Sequence, residues 1–543
     1  MSRIKRAGVA LLGDPERFSA LVLRQPLRRY QLAPLRAILD SVLNHRGLEF
    51  LLIFPRQAGK NETVAHLLTY LLNLYQRAGG NIVYGAIGDQ LGMGIDRVEA
   101  RLDNVWNLGQ WAKAVKPTRR ILGRAAIIFI SSHPMASARG QTAHHLVVID
   151  ETQDQDAAHI ETVFTPMRAS TNATALYIGT VRTTSDFLWQ KKLELERETA
   201  RDGIQRVYLV TPDQVTREVP AYNDFLDTQI RKHGRNHPIV ASEYFLEPID
   251  AAGGLFPERR RLLMRGAHSR IHSPLSPAAP TFTPLPGQGQ GRAEPEYPSG
   301  ELYVATVDVA GEDEAATDPV ARLARPGRDY TVATIFRVLF PDSRFQVPGP
   351  GYWAVDVFVD HGSKHFEEHP GRPPLSQRLF TWLQMWHVAH IVADESGVGA
   401  GLVSWLAAAF GPNCVTGYNF SGPGKKAALG AAFLSLIETH RFKYWTDDEY
   451  ITCSDGWWFW RQAEACGYEL PPGGTFERDL RWEVPATHKT STPTGIQATH
   501  DDRLLSAALV AELDRLVRAG DIALGRAASA VVPGRDPLED MSF

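Results

Sequence analysis

Hydrophobic and polar positions follow two different periods along the first half of the chain. Short apolar runs, typical of buried strands, occupy residues 49–54, 81–85, 126–130, 145–149 and 175–181. Between residues 61 and 76, apolar side chains instead recur at a spacing of three and four, which predicts a helix with one buried face. Strands that alternate with helices favour an α/β domain with a mainly parallel sheet.

The second half of the chain begins with strands and returns to alternation later. Runs at residues 301–308, 330–340 and 352–359 predict three successive strands, and helix–strand alternation resumes from about residue 376. A last strong helix is predicted to begin near Asp502, with an apolar stripe at Leu505, Leu509 and Leu516. This pattern predicts a second α/β domain that opens with antiparallel strands.

The clearest break in composition lies between the two patterns. Residues 266–300 are dense in Pro, Gly and Ser and carry too little apolar surface to fold alone. We therefore predict a first domain over residues 1–265, a linker or excursion over 266–299, a second domain over 300–520 and a mobile tail over 521–543. A length of 543 residues also favours more than one core.

Composition narrows the class of protein. The formal net charge of −3 argues against a surface coated in basic groups, although it permits local basic patches that face a polyanion. We find no membrane-spanning run and no export signal, and the three cysteines form no CxxC pair. These features predict a soluble protein of a reducing cytoplasm, without a disulfide framework or a cysteine zinc site.

A glycine-lysine pair follows the first predicted strand. In residues 54–63, FPRQAGKNET, Gly59 and Lys60 stand where the strand gives way to a helix. Backbone N–H groups and the helix dipole at such a turn can hold phosphates, while the lysine reaches the outer ones. Phe54 and Asn61 depart from the strict phosphate-loop pattern. Taken alone, the pair is explained equally well by a plain strand-to-helix turn.

Two later strand ends carry polar residues suited to ATP hydrolysis. Asp150 and Glu151 follow four apolar residues; the first can hold Mg²⁺ through water, and the second can polarise the attacking water. Thr180 follows Gly179 at the end of another strand, where it could sense the state of the γ-phosphate. Acids that merely cap a strand, and a plain turn at Thr180, are the alternatives.

Acidic residues also mark the ends of elements in the second domain. Asp308 ends its first strand, Asp394 ends a later one, and Asp501 and Asp502 open the last helix. This is the order of an RNase H-like fold, in which such carboxylates meet at one edge of the sheet. Their oxygens suit Mg²⁺ or Mn²⁺, and two ions about 4 Å apart can cleave a phosphodiester. Individually, each acid is also explained by a turn or a helix N-cap.

Taken in order, these motifs resemble the large terminase subunit of tailed bacteriophages. The resemblance rests on the loop 56–60, the acid pair 150–151, the Gly-Thr pair 179–180 and the carboxylates of the second domain, and it covers residues from about 29 to 516. It implies an α/β architecture with an N-terminal P-loop ATPase domain of the ASCE type and a mainly parallel sheet. An RNase H-like nuclease domain follows.

The resemblance also implies roles for individual residues at the ATP site. The residues that would bind ATP are Gln31, Arg56, Gln57, Gly59, Lys60, Asn61, Asp150 and Thr180. Among them, Gln31 lies in a segment that resembles the family's adenine-binding glutamine motif. Glu151 would act in hydrolysis, and Arg139 would reach the ATP of a neighbouring subunit. Asn61 through its carbonyl, or Thr63 through its hydroxyl, would supply the direct Mg²⁺ contact. A local ion pair is the alternative for Arg139.

At the nuclease site the resemblance implies metal binding by Asp308, Asp394 and Asp502. Asp501 is a secondary ligand and Asp329 an auxiliary acid. Two lysines, Lys425 and Lys426, would contact DNA phosphate, with solvated lysines at a helix start as the alternative. The implied cofactors are ATP, with Mg²⁺ or Mn²⁺ at both the ATPase and the nuclease sites.

The implied function is ATP-driven translocation of double-stranded viral DNA into a procapsid, together with metal-dependent endonucleolytic cleavage of concatemeric DNA. The implied partners are DNA, the portal protein, a small terminase subunit and further copies of the chain in a ring of five, with no membrane. The protein would act in the host cytoplasm, transiently attached to the procapsid and absent from the mature virion. Two alternatives stay open: a cellular helicase-nuclease of DNA repair, and a non-catalytic DNA-binding or scaffold protein with decayed sites.

Overall fold

The chain forms two compact units. The computed structural model describes residues 11–136, 140–250, 252–271, 301–310, 330–340, 349–360, 364–368, 372–471, 473–522 and 524. The first unit takes the chain up to Ile230, with Arg235–Ala251 and Pro471–Gly474; the second takes Arg231–Gly234, Ala252–Leu470 and the chain from Thr475.

The first unit is built on an eight-stranded sheet. Its strands are β1 (Glu49–Ile53), β2 (Gly80–Ala86), β3 (Trp111–Val115), β4 (Thr118–Leu122), β5 (Ala125–Ser131), β6 (Leu146–Ile149), β7 (Thr174–Gly179) and β8 (Val207–Leu209). Its helices are α1 (Pro15–Arg17), α2 (Arg29–Leu43), α3 (Lys60–Tyr75), α4 (Asp89–Leu102), α5 (Ala157–His159), α6 (Phe187–Asp202), α7 (Pro212–Glu218), α8 (Pro220–His233) and α9 (Pro238–Glu243).

The order of strands in this sheet is β3-β4-β5-β2-β6-β7-β1-β8. All pairs from β5 to β8 are parallel, while β3, β4 and β5 pair antiparallel at one edge. One strand, β7, lies between β1, which leads into the Gly-Lys loop, and β6, which leads into the acid pair. This insertion is the arrangement of ASCE-type ATPases, so the predicted fold of the first domain is confirmed.

Alternation along β1 shows why the sheet is covered on both faces. Phe50 and Leu52 belong to one hydrophobic cluster, which includes residues of α2 and α3, whereas Leu51 and Ile53 belong to a cluster on the opposite face. Successive side chains of a strand point to opposite faces. A strand that is apolar at every position is therefore buried from both sides, as parallel sheets require.

The second unit contains a six-stranded sheet with a three-stranded sheet and a hairpin beside it. Its strands are β9 (Ala252–Gly254), β10 (Leu302–Asp308), β11 (Thr331–Leu339), β12 (Gly351–Asp360), β13 (Ile391–Asp394), β14 (Val415–Tyr418), β15 (Phe442–Lys443), β16 (Gly467–Glu469), β17 (Arg481–Glu483), β18 (Lys489–Thr492) and β19 (Gly495–Ala498). Its helices are α10 (Glu258–Met264), α11 (Leu375–Met385), α12 (Gly399–Phe410), α13 (Lys425–Glu438), α14 (Asp455–Ala465), α15 (Phe476–Asp479), α16 (Asp502–Ala508) and α17 (Val510–Ala519).

The main sheet of this unit has the order β14-β13-β10-β11-β12-β15. Strands β10, β11 and β12 pair antiparallel, and β13 and β14 then add parallel to β10 on its other side. Helices α11 and α12 cover one face, where they form a single cluster with the apolar residues of β10 and β13. Helix α16 packs against β10 and β11. This strand order confirms the predicted RNase H-like arrangement.

The boundary between the units differs from the predicted one. Residues 252–265 were assigned to the first domain, but β9 pairs with β16, and α10 packs in the second unit. There Arg260 Nε donates to Glu438 Oε1 at 2.8 Å, and the Glu438 side chain is almost fully buried. A buried ion pair with a residue 178 positions away leaves no sequence signal. The predicted linker (266–299) and tail (521–543) lie mostly outside the described residues.

Candidate functional site

The predicted phosphate loop joins β1 to α3 and depends on one glycine. Gly59 is the N-cap of α3 with φ of 88°, a left-handed conformation that favours glycine. A Cβ at Gly59 would also lie 2.9 Å from the side-chain nitrogen of Gln31. Gln57, exposed at the tip of the loop, has φ of 62°. The loop therefore turns its backbone sharply just before Lys60, the first residue of the helix.

Lys60 and the acid pair meet at the carboxyl edge of the sheet. The Lys60 ammonium lies 2.9 Å from Glu151 Oε2, and 9% of the Lys60 side chain is exposed. Glu151 follows β6 with φ of 44°, a conformation that non-glycine residues rarely adopt. The structure thus brings together the lysine and the acid on which the sequence analysis depended, although 91 positions separate them.

The pKa values of the two acids in the pair shift in opposite directions. Burial raises the pKa of Asp150, and its carboxylate accepts hydrogen bonds from the Tyr84 hydroxyl and, at 2.8 Å, from the Glu151 backbone N–H. Burial also raises the pKa of Glu151, but the charge of Lys60 and a hydrogen bond from Gln153 outweigh it, so the net shift is downward. Glu151 is therefore held ionised, as a proton acceptor must be.

Gln153 is a residue of this site that the sequence analysis missed. Its Nε2 donates to Glu151 Oε2 at 2.7 Å, and its Oε1 accepts from the Thr180 backbone N–H at 3.2 Å. The Thr180 hydroxyl in turn donates to the carbonyl of Phe54 at 3.3 Å, at the start of the phosphate loop. A Cβ at Gly179 would lie 2.3 Å from Gln153 Oε1, so a larger residue at this position would displace the amide. One amide thus connects the acid to the predicted sensor residue.

Gln31, the predicted adenine contact, forms hydrogen bonds with backbone groups of the phosphate loop and of the residue before α2. Its Nε2 donates to the Gly59 carbonyl at 3.1 Å, and its Oε1 accepts from the Arg28 backbone N–H at 2.9 Å. The neighbouring Tyr30 hydroxyl donates to the Ala58 carbonyl at 2.9 Å. Both ends of the Gln31 amide therefore bind backbone, and its role toward adenine stays a prediction.

The other predicted ATP-site residues near the loop differ in their exposure and in their hydrogen bonds. Arg56 is largely exposed and forms an ion pair of 2.6 Å with Glu243 of α9. Asn61 is half-buried on the first turn of α3. The Thr63 hydroxyl donates to the Gly59 carbonyl at 3.0 Å, so it is committed to the helix backbone in this state. Arg139 lies outside the described residues.

In the second unit, strand register places two of the predicted acids side by side. Parallel strands β10 and β13 pair Val307 with Ala393, so Asp308 and Asp394 follow at adjacent positions. Val307 and Ala393 both face the cluster under α11 and α12. Because side chains alternate, Asp308 and Asp394 both lie on the opposite face of the sheet.

Asp502 reaches the same face of the same edge from a helix. One turn after it, Ser506 Oγ lies 2.9 Å from Thr334 Oγ1, and Thr334 pairs with Thr306 of β10. Thr306 is two residues before Asp308, so α16 covers the face that carries the acids. Asp502 Oδ2 accepts from the Tyr330 backbone N–H at 3.1 Å, beside the start of β11. Three acids far apart in sequence therefore lie on the same face at the same edge of the sheet.

These acids suit a divalent cation in their chemistry, but their side chains are not preassembled around one. Asp308, Asp394 and Asp502 are 7%, 8% and 4% exposed. Burial raises the pKa of Asp394, against a 2.8 Å hydrogen bond from the Ser396 N–H, so a nearby cation would relieve an unfavourable charge. Within the described ranges, no three His, Cys, Asp or Glu side chains are grouped closely enough to hold an ion. A shared ion would require these carboxylates to turn toward it.

The other residues predicted for the nuclease site are two lysines and two acids, and they differ in their surroundings. Lys426 Nζ lies 3.4 Å from Asp501 Oδ2 and over the Trp482 ring, which places this lysine beside the acidic edge. Lys425 is exposed, with its ammonium 5.9 Å from the Tyr418 ring. Asp501 is therefore partly neutralised by Lys426. Asp329 lies outside the described residues.

Comparison with known proteins gives matches only among solved structures. No protein-family model matches the chain, and no curated protein matches it. The solved structures it resembles include phage large terminases. One of these, the large terminase of a thermophilic bacteriophage, is 10% identical, with 90% of this chain and 99% of its own covered and a TM-score of 0.42.

Two further structures extend this finding. The HK97 bacteriophage large terminase is 13% identical, with 94% of this chain and 100% of its own covered and a TM-score of 0.37. The large terminase nuclease of the thermophilic phage G20c, solved with bound magnesium, is 16% identical, with 40% and 83% covered and a TM-score of 0.26. Scores this low carry no argument about function, which rests on the geometry of the two sites. No helix within the described ranges is long and apolar enough to cross a membrane.

Proposed function

We propose that the chain is the large subunit of a terminase, which couples ATP hydrolysis to the translocation of double-stranded DNA into a procapsid and cuts that DNA with a metal-dependent nuclease. The observation that carries the proposal is the presence in one chain of a lysine-glutamate pair on an ASCE-type sheet and of three carboxylates on one face at one edge of an RNase H-like sheet. The motifs also occur in the order of that family.

The first unit supplies the groups that ATP hydrolysis needs. The backbone of the loop before Lys60 and the N-terminus of α3 bind phosphate, and Lys60 contacts the outer phosphates. The Lys60 ammonium lies 2.9 Å from the Glu151 carboxylate, so a bound phosphate would compete with Glu151 for it. Once Lys60 binds phosphate, Glu151 is free to accept a proton from the attacking water. Asp150 would hold Mg²⁺ through water.

The second unit supplies carboxylates for phosphodiester cleavage. Asp308, Asp394 and Asp502 would hold Mg²⁺ or Mn²⁺, which activates water and stabilises the leaving oxygen in such sites. The chain itself positions these acids by strand register and by the start of α16. Lys426, beside Asp501, would contact the phosphate backbone of the bound DNA.

The assembly is also part of the proposal. The motif resemblance supports a ring of five copies on a portal protein, a small terminase subunit that recognises viral DNA, and an Arg139 that reaches the ATP of the neighbouring copy. The ring would form in the host cytoplasm on a procapsid. ATP turnover should then rise when portal-bearing procapsids and DNA are both present.

One pair of variants tests the two activities separately. We expect Lys60→Ala to abolish DNA-stimulated ATP hydrolysis while Mn²⁺-dependent plasmid cutting by the same protein persists. Asp308→Ala should show the converse. Unchanged ATP turnover in Lys60→Ala would eliminate the motor, and unchanged cutting in Asp308→Ala would eliminate the nuclease. Strand separation of a forked duplex without packaging would instead indicate a helicase-nuclease.

A further inference from the structure

A large cavity opens beside the carboxylate edge of the second unit. Its volume is about 940 Å³, within the range of about 300–1,000 Å³ of pockets that hold small ligands. It is lined by residues of β12, α11, the start of α14, the end of the β18–β19 hairpin and the segment around the start of α16. None of the roles proposed above uses it.

One residue that lines the cavity is hydrogen-bonded to a proposed metal ligand. Tyr330 lines it and donates its backbone N–H to Asp502 at 3.1 Å. His500 and Arg503, on either side of Asp501 and Asp502 in sequence, line it as well. A DNA strand whose phosphate lies at the carboxylates would therefore pass close to residues that line the cavity.

Charge in the lining favours an anion. Among the described residues, four arginines line the cavity and three carboxylates pair with them: Asp455 in the lining, and the buried Asp356 and Asp360. The guanidinium groups therefore exceed their carboxylate partners by one. Asp455 accepts from Arg503 at 2.7 Å and from Arg270 at 2.9 Å, and it thereby fixes both guanidinium groups in place. A guanidinium has five N–H donors, so Arg503 retains donors for a phosphate oxygen after binding one carboxylate.

The remaining lining favours a nucleobase. The rings of Tyr330 and Trp458 line the cavity, with the Arg503 guanidinium 5.7 Å from the Tyr330 ring centroid, and Gln497 offers an amide that can both donate and accept. Every base has a face that can stack on an aromatic ring, and amides can pair with its polar edge. Because aromatic rings, an amide and arginines surround one volume, the cavity has the chemical groups that suit a nucleotide.

We propose that this cavity receives an unpaired nucleotide of the DNA strand bound at Asp308, Asp394 and Asp502. The proposal rests on the proposed nuclease function and adds a preference of substrate: duplex ends that carry an unpaired base should bind more tightly than blunt ends. The base stacks within the cavity while the duplex remains outside it.

Two independent obstructions test the proposal on the full chain. Gln377 is an exposed lining residue, so Gln377→Trp fills the cavity while Gln377→Ala serves as its matched control. Cys453 also lines the cavity and is the exposed one of the three free cysteines. A maleimide on Cys453 therefore fills the same space, and Cys453→Ser treated with the reagent controls for modification elsewhere.

The measurement is DNA binding by fluorescence anisotropy in Ca²⁺, a cation with oxygen ligands that can occupy the acidic edge, with a blunt duplex and the same duplex bearing a short thymidine overhang. We expect the untreated protein to bind the overhang duplex about tenfold more tightly, the effect of one stacked base. Both obstructions should abolish this difference and leave blunt-duplex affinity within about twofold. Gln377→Ala and treated Cys453→Ser should retain it.

Other outcomes overturn the inference in distinguishable ways. Equal binding of both duplexes, or a preference that survives both obstructions, overturns the cavity assignment while the nuclease proposal stands. Displacement of a labelled thymidine monophosphate only by free nucleotide, and not by the overhang duplex, makes the cavity a mononucleotide site. Failure to bind any DNA overturns this inference together with the proposed function.

Discussion

Gln153 joins Glu151 to Thr180: its amide nitrogen donates to the glutamate carboxylate at 2.7 Å, and its amide oxygen accepts from the threonine N–H at 3.2 Å. The acid at the end of β6 and the residue after β7 are thus held by one side chain. Because Thr180 also bonds the carbonyl of Phe54, a change at the acid can be transmitted to the phosphate loop.

Gln153→Ala should lower kcat for ATP hydrolysis about tenfold with little change in KM, the effect of one lost hydrogen bond to a charged group. The hydrogen bond from Gln153 lowers the pKa of Glu151, so its loss raises that pKa. The acidic limb of the kcat profile should therefore move to higher pH. A variant with lower kcat and an unmoved limb would indicate a merely structural role.

Glu151→Gln should separate binding of ATP from its hydrolysis. Loss of a general base lowers turnover by about 10²–10⁴-fold, whereas Lys60 remains available to phosphate. Equilibrium binding of a fluorescent ATP analogue should match or exceed that of the native chain, because Lys60 no longer pairs with a carboxylate. Glu196→Gln, at an exposed carboxylate of α6, is the control and should change neither property. Normal turnover in Glu151→Gln would remove the proton acceptor from the mechanism.

Removal of the carboxylates proposed to bind metal should eliminate two properties expected of the native protein. Asp308→Asn and Asp502→Asn should each abolish Mn²⁺-dependent plasmid cutting while ATP turnover persists. A ligand that binds only the folded state raises the melting temperature, so Mn²⁺ should stabilise the native protein but neither variant. Glu464→Gln, at an exposed acid of α14, should keep both cutting and stabilisation. Stabilisation that survives in both variants would place the ion elsewhere.

Asp394→Asn should stabilise the protein in EDTA at neutral pH. Burial raises the pKa of Asp394 above its unfolded value of about 3.8, so the folded state binds the proton more tightly. Stability from this group is present at low pH and is lost as pH rises through the folded pKa. A neutral asparagine removes the loss, and thermal melts at pH 7 and pH 4 should show a gain confined to the higher pH.

Asp360→Asn should have the opposite effect, although it also changes a strand-end aspartate. Asp360 is fully buried at the end of β12, accepts a hydrogen bond from Arg372 at 2.6 Å and forms an ion pair of 2.5 Å with Arg378. Loss of one partner of a buried ion pair costs about 3 kcal/mol. Urea denaturation at neutral pH should show this loss, and equal stability of the two asparagine variants would contradict the assigned environments.

Local pattern was sufficient to predict the elements that hold the two sites. The apolar run that forms β1 is followed by the loop to Gly59, the run that forms β6 is followed by Asp150, and β10 and β13 end on acids. The residues proposed for chemistry therefore stand at, or shortly after, the ends of predicted strands. The meeting of Asp308 and Asp394 also followed, because parallel neighbours present their ends at one edge. What pattern lacked was the register that decides which face the acids share.

Elements held by distant contacts could not be predicted in the same way. Strand β9 is Ala-Gly-Gly, exposed along its length, and exists through pairing with β16 more than two hundred residues later. The β18–β19 hairpin is short and rich in polar residues, so its alternation gives no apolar signal. Gln153 was missed because an amide in a turn becomes informative only when its two partners, from separate strands, are known to be adjacent.

Because β10 and β13 pair in one register, insertions and deletions within these strands should be tolerated less well in evolution than those in loops. Residues added to or removed from the loops that connect the intervening elements leave the pairing of these two strands unchanged, so they leave the acidic edge intact. One residue gained or lost inside β13 would rotate Asp394 into the apolar layer beneath α11 and α12, since side chains alternate between faces. Relatives of this chain should therefore vary freely in their loops while the parity of these two strands stays constant.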